Sequence, residues 1–297
     1  MLKDMRGLIP ALATPLNADW TVDPKGMKTL IDYVIAGGAR GLFVLSSTGE
    51  GPLLPDDQRE VAVTTAAEAA AGRVPVLMHV PETSTQRVLR WVRQAPELGA
   101  NYIVSTLPFY LRHVGQQTMD FYQAVADASP LPVFLYNVPV CTGVQVTHEQ
   151  IAELAKHPNI VGIKDSTLDW RHLQKVVRIK NERPDFLVFN GDEEALASTV
   201  LMGGDGGVLG LGNVCPALCT AVCEAADRGD LAEARRLQAE LTDMQQMWFC
   251  FSCASGALKM TLNLLGLSKP HVTPPLVPAP AELEPFLREL LSRHGLI

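Results

Sequence analysis

Residues 131–163 read LPVFLYNVPVCTGVQVTHEQIAELAKHPNIVGI. Leu131–Tyr136 is an unbroken apolar run of strand length, and Ile160–Ile163 is another. Between them, His148–Lys156 has the apolar spacing of an amphipathic helix. Strand, helix and strand in succession form a βαβ unit, whose two strands must be parallel. The runs are continuous rather than alternating, as expected of strands buried on both faces.

Six further apolar runs extend this pattern: Leu8–Ala13, Gly41–Leu45, Val74–Val80, Asn101–Ser105, Phe186–Phe189 and Gly207–Leu211. Helical stretches separate them: Lys25–Ala36 behind the Asp23-Pro24 start signal, Asp56–Ala71, Ser84–Leu98, Gln116–Ala128, Trp170–Asn181 and Asp192–Met202. Eight such units with right-handed crossovers predict an α/β fold, a (β/α)8 TIM barrel. The alternative, an open doubly wound sheet, would normally carry a glycine-rich turn after its first strand, and Ala13-Thr14-Pro15-Leu16 is no such turn. Beyond the eighth run no strand candidate remains. Pro216–Arg228, Leu231–Phe249, Gly256–Leu265 and Ala281–Arg293 read as helices, with a proline-rich stretch at Lys269–Pro280. The expected organisation is a barrel over residues 1–228 and an appended C-terminal helical region over residues 229–297, packed on the barrel within the same domain.

A chain of 297 residues suits one such barrel, and its 47% hydrophobic content supplies a large core. The net charge is −7 and no basic block appears, so no nucleic-acid partner is expected. The apolar stretch Leu8–Leu16 is interrupted by Pro10 and Pro15 and is too short to span a membrane. No membrane partner and a cytoplasmic location are expected. Cys215, Cys219 and Cys223 share one helix face and read as core residues. Cys250-Phe-Ser-Cys253 has redox or metal spacing, but with no second pair it also reads as packing.

In such barrels chemistry gathers at the C-terminal ends of the strands. The second run ends in Ser46-Ser47-Thr48-Gly49-Glu50-Gly51. Its hydroxyls and backbone N–H groups suit a carboxylate or phosphate, although an ordinary polar loop would look the same. The fifth run ends at Tyr136, either a proton shuttle or a core aromatic. The sixth ends in Lys164-Asp165-Ser166. Desolvation favours the neutral, nucleophilic amine of a buried lysine, while the bland reading has Lys164 reaching solvent and paired with Asp165. Taken together, an amine, a phenol and a hydroxyl-rich loop on one barrel face fit carbonyl chemistry through a Schiff base, in which proton transfers accompany carbinolamine formation.

At these residues the chain resembles the dihydrodipicolinate synthase / N-acetylneuraminate lyase family of class I, pyruvate-handling aldolases, over essentially its whole length. Ser46-Ser47-Thr48-Gly49-Glu50 matches the family loop G-[ST]-T-G-E except at its first glycine. Tyr136-Asn137-Val138-Pro139 matches Y-N-x-P, and Gly162-Ile163-Lys164 matches G-x-K. The resemblance implies a carbon–carbon lyase in which Lys164 forms the imine and Tyr136 acts as acid and base. Ser47 and Thr48 would bind the pyruvate carboxylate, and Ser47 would join the proton relay. Tyr110 aligns with a tyrosine that family members lend across a dimer interface. Gly191 and Val208, Leu209 and Gly210 would line the pocket, and Glu50 would be structural. It further implies a homotetramer, a dimer of dimers, with no metal and no organic cofactor.

The chain also departs from that pattern. Cys141 stands where the synthases carry an arginine that grips the second substrate's carboxylate, and a thiol cannot replace that bidentate contact. His79, and Asn190-Gly191 followed by Glu193, lean towards sugar-acid lyases, while Lys164-Asp165-Ser166 resembles the keto-deoxy-sugar-acid aldolases. Arg112 could read an acidic substrate group or simply be solvated. The favoured function is cleavage of a 2-keto-3-deoxy sugar acid, or a related hydroxylated 2-keto acid, to pyruvate and an aldehyde. The alternatives are 4-hydroxy-tetrahydrodipicolinate (dihydrodipicolinate) synthase, a metal-dependent lyase, and a non-catalytic 2-keto acid sensor or scaffold. The seven histidines are scattered and only His79 ends a strand, which disfavours the metal reading.

Overall fold

All eight apolar runs form strands in the computed structural model, which describes residues 5–297. These are β1 (Gly7–Pro10), β2 (Leu42–Val44), β3 (Val76–His79), β4 (Tyr102–Thr106), β5 (Val133–Asn137), β6 (Ile160–Asp165), β7 (Leu187–Asn190) and β8 (Gly206–Leu209). All pairings are parallel, in the order β1-β8-β7-β6-β5-β4-β3-β2. The ring closes where Ala11 bridges to Phe43, with the Leu12 N–H donating to the Phe43 carbonyl at 2.9 Å. That closure excludes the open sheet.

The unbroken apolar runs arise because both strand faces are buried. Ile9, Phe43, Leu77, Val104, Phe134, Phe189 and Val208 fill the barrel. Their neighbours Leu8, Leu42, Val44, Ile103, Leu135, Val188 and Leu209 pack outward against the helices. At β6 the register with β5 slips between Val133 and Phe134, and Gly162 lies opposite the Phe134 ring. A Cβ at Gly162 would collide with that ring and with the Leu187 carbonyl, so only glycine lets Phe134 fill the barrel here.

Between the strands run α1 (Pro24–Ala36), α2 (Asp56–Ala70), α3 (Thr85–Gln94), α4 (Gln116–Ala128), the short α5 (Pro139–Thr142), α6 (His148–Leu154), α7 (Trp170–Val177) and α8 (Leu196–Leu201). Caps set several boundaries: Asp23 accepts from the Gly26 N–H, and Thr147 with Gln150 forms a capping box. The stretch expected as one helix to Leu98 ends at Gln94, two residues before Pro96.

After β8 come α9 (Pro216–Asp227), α10 (Leu231–Met244), α11 (Gln246–Phe249), α12 (Ala254–Leu264) and α13 (Glu284–Arg293). The single helix expected over Leu231–Phe249 is broken at Gln245, which turns α11 back over the barrel end. Cys215, Cys219 and Cys223 are buried at and along α9, as the spacing predicted. No helix among the described residues is long and apolar enough to cross a membrane. No group of three or more metal-ligating side chains gathers among them.

Candidate active site

Lys164 is the fifth residue of β6, with Tyr136 of β5 and Phe189 of β7 as its register partners. The pleat turns it inward, where it is 7% exposed. Its Nζ lies 4.4 Å from the centroid of the Tyr136 ring and 4.8 Å from that of Phe43. Among the described residues, Nζ has no hydrogen-bond or ion-pair partner. Asp165 does not pair with it, because the next residue of a strand faces the opposite side. The Asp165 carboxylate instead takes the Thr167 hydroxyl at 2.6 Å, the Asn137 amide at 3.1 Å and His172 Nε2 at 3.1 Å. The bland reading of Lys164 as a surface ion pair is thereby overturned.

Phe43, Tyr136 and His79 form an aromatic floor beneath the amine, with centroid separations of 5.4 to 5.7 Å. His79 Nδ1 lies 3.0 Å from the Leu45 carbonyl, which can only accept, so the proton is assigned to Nδ1. Burial pushes its pKa down to about 3. His79 is therefore a neutral, buried ring packed under Tyr136.

The Ser46–Gly51 loop follows β2. The Ser46 hydroxyl accepts from the Gly49 N–H at 3.2 Å, and the Thr14 hydroxyl donates to the Gly49 carbonyl at 2.6 Å. Glu50 has a left-handed backbone, φ 59°, and its N–H donates to the Ser47 carbonyl. The loop thereby turns Ser47 to solvent and leaves Thr48 half-buried. The Glu50 carboxylate points away into the core. Its Oε2 accepts the Thr273 N–H at 2.6 Å, and Oε1 lies 3.0 Å from Lys259 Nζ as an ion pair.

Gly191, Glu193 and Gly210 stand at the ends of β7 and β8. A Cβ at Gly191 would strike the Ser166 hydroxyl and come within 3.1 Å of Lys164 Cε. Glu193 is buried, which raises its pKa, and its Oε1 accepts the Leu211 N–H at 3.0 Å. A Cβ at Gly210 would lie 2.6 Å from the Trp248 indole and 3.5 Å from Glu193 Oε1. The appended region thus walls this side through α11. Val208 lies in the barrel filling, deeper than these groups. Leu209 requires a correction: its side chain packs in the outer helix layer because the pleat alternates, so it does not line the pocket.

The remaining candidates lie at the rim. Cys141, in α5, is exposed, with Sγ 4.0 Å from Ser47 Oγ. Arg112 packs on the same loop, its Nε 3.3 Å from where a Gly143 Cβ would stand. Tyr110 is 91% exposed beside exposed Leu111, and Val140 of the α5 loop is 89% exposed, so within one chain Tyr110 is no part of the pocket. Sequence reasoning missed Phe43, Trp248 and Lys259. Each is an apolar residue in an apolar run or a helical residue far along the chain, and none carried a local signal.

The chain matches the Dihydrodipicolinate synthetase family over residues 4–294. It is 33% identical to a probable 2-dehydro-3-deoxy-D-pentonate aldolase of Escherichia coli K12, covering 100% of this chain and 99% of that one. It is 34% identical to a 4-hydroxy-tetrahydrodipicolinate synthase of Hyphomonas neptunium, covering 98% of each. Among solved structures, a prophage protein of the dihydrodipicolinic acid synthase family from Escherichia coli K12, in complex with pyruvate, superposes with a TM-score of 0.94 at 32% identity, covering 98% of this chain and 99% of that one. A monomeric dihydrodipicolinate synthase variant also gives a TM-score of 0.94, at 30% identity over 100% of this chain and 99% of that one.

Proposed function

Because the chain belongs to the dihydrodipicolinate synthetase family and is a carbon–carbon lyase of the class I aldolase type, we propose that it works through an imine between Lys164 and pyruvate. The substrate is a 2-keto-3-deoxy sugar acid or a related hydroxylated 2-keto acid, cleaved reversibly to pyruvate and an aldehyde. The observation that carries this reading is Lys164 Nζ, buried against the Tyr136 ring with no hydrogen-bond or ion-pair partner among the described residues.

In this scheme Nζ adds to the C2 carbonyl, and the carbinolamine loses water to give the protonated imine. Tyr136 and Ser47 relay the protons. A base removes the proton of the C4 hydroxyl, the C3–C4 bond breaks, and its electron pair enters the iminium to form an enamine. Protonation at C3 and hydrolysis release pyruvate. Ser47 and Thr48 bind the carboxylate, and Gly191, Glu193, Gly210 and Trp248 border the space for the polyol end. The similarity to a probable pentonate aldolase supports this substrate class. Tyr110, exposed with apolar neighbours, suits a residue lent to a second copy in a homo-oligomer.

One observation favours a second reading, that of 4-hydroxy-tetrahydrodipicolinate synthase. Arg112 places a guanidinium on the Cys141–Gly143 loop, where it could grip an aldehyde bearing a carboxylate.

Pyruvate with sodium borohydride, followed by intact mass and a peptide map, tests the common step. A reduced adduct on Lys164, absent in Lys164→Ala, is expected. No adduct on folded protein would overturn the proposal in favour of a sensor or scaffold. Turnover of sugar acids that survives Arg112→Ala supports the first reading, and loss of turnover with a carboxylate-bearing aldehyde in that variant supports the second.

A further inference from the structure

The loop that presents Ser47 and Thr48 is held from outside the barrel strands. Lys259, on α12 of the appended region, is fully buried, as is Glu50. Its ammonium reaches the loop by two routes. One is the 3.0 Å ion pair with Glu50, whose left-handed backbone closes the turn. The other is the Thr14 carbonyl, 2.7 Å from Nζ, since the Thr14 hydroxyl in turn donates to the Gly49 carbonyl. The third direction of the ammonium goes to the His271 carbonyl at 2.8 Å, and the Thr273 N–H donates to the other oxygen of Glu50.

Two buried charges are a costly way to gain stability, because apolar residues of similar volume often serve as well. A left-handed glutamate adds backbone strain that its surroundings must hold in place. Both costs are offset only if the geometry they impose is used. The imposed geometry is that of Ser47 and Thr48, which directly precede Gly49 and Glu50.

We propose that Lys259 is a positioning residue for the keto-acid carboxylate: through Glu50 and Thr14 it fixes the loop that presents Ser47 and Thr48. The appended helical region is then a working part of the site. This rests on the reading of that loop as the carboxylate subsite.

The test measures adduct formation against pyruvate concentration, by borohydride trapping, in wild type, Lys259→Met, Lys259→Arg and Glu50→Gln. In Lys259→Met the half-saturating pyruvate concentration rises about 10-fold or more, the scale expected when a positioned group is displaced. The maximal trapping rate falls as well, because Ser47 of the same loop relays protons, and Lys259→Arg recovers part of both losses. Glu50→Gln keeps the side-chain volume and the acceptor for Thr273 while removing the charge, and shifts half-saturation in the same direction. It decides the question if Lys259→Met does not fold. A folded Lys259→Met or Glu50→Gln with wild-type half-saturation overturns the proposal. A wild-type protein that forms no adduct overturns the aldolase reading instead.

Discussion

Lys164 and Asp165 are consecutive residues that face opposite sides of β6: the amine looks into the barrel with no hydrogen-bond or ion-pair partner among the described residues, and the carboxylate looks out into a network with Thr167, Asn137 and His172. One residue is available for chemistry and the other holds the strand end.

That division predicts opposite outcomes for the two positions. Asp165→Ala leaves buried donors unpaired and should cost about 3 kcal/mol, read as a lowered urea midpoint. Lys164→Ala breaks no ion pair among the described residues and should stay within about 1 kcal/mol of wild type while abolishing borohydride trapping. Equal stability losses at the two sites would contradict the assignment.

Gly191→Ala should lower the trapping rate by about 100-fold, because the new methyl displaces Ser166 and crowds Lys164 Cε. Removing the opposing hydroxyl as well, in Gly191→Ala/Ser166→Ala, should restore part of the rate. A single variant with wild-type kinetics would show that the contact yields freely.

His79 supplies a pH signature. Its folded pKa, near 3, lies below the ordinary 6.5, so the unfolded chain binds a proton that the folded chain refuses. The contribution is complete above pH 6.5 and is lost as pH falls from 6.5 towards 3, at roughly 1.4 kcal/mol per unit. His79→Gln lacks this term. The stability gap between wild type and variant, from urea unfolding at pH 7.5 and 4.5, should narrow in acid. A gap that is constant with pH would refute the neutral, buried ring.

The strands were legible because a parallel barrel buries both faces, which writes each strand as an apolar run such as Ile160–Ile163. The start of α1 was legible from the Asp23-Pro24 signal, where Asp23 caps the helix. Lys164 was legible by contrast, as a charge ending an apolar strand. Contrast also explains the failures. Phe43 is an aromatic within an apolar run, and nothing local says it will underlie the amine. The break at Gln245 that brings Trp248 over Gly210 has no proline or glycine to announce it. Leu209 was assigned to the pocket by its place in the chain, and the pleat turned it away.

The anchoring of Glu50 has a consequence for the order in which the molecule matures on the ribosome. Domains emerge N-terminus first. The nascent chain therefore displays Tyr136 and Lys164 well before Lys259 and Thr273 leave the exit tunnel, and only then does the Glu50 carboxylate meet its buried partners. A polypeptide halted before α12 is synthesised lacks the buried partners of the Glu50 carboxylate, so the Ser46–Gly51 turn stays unsecured until that segment has been made.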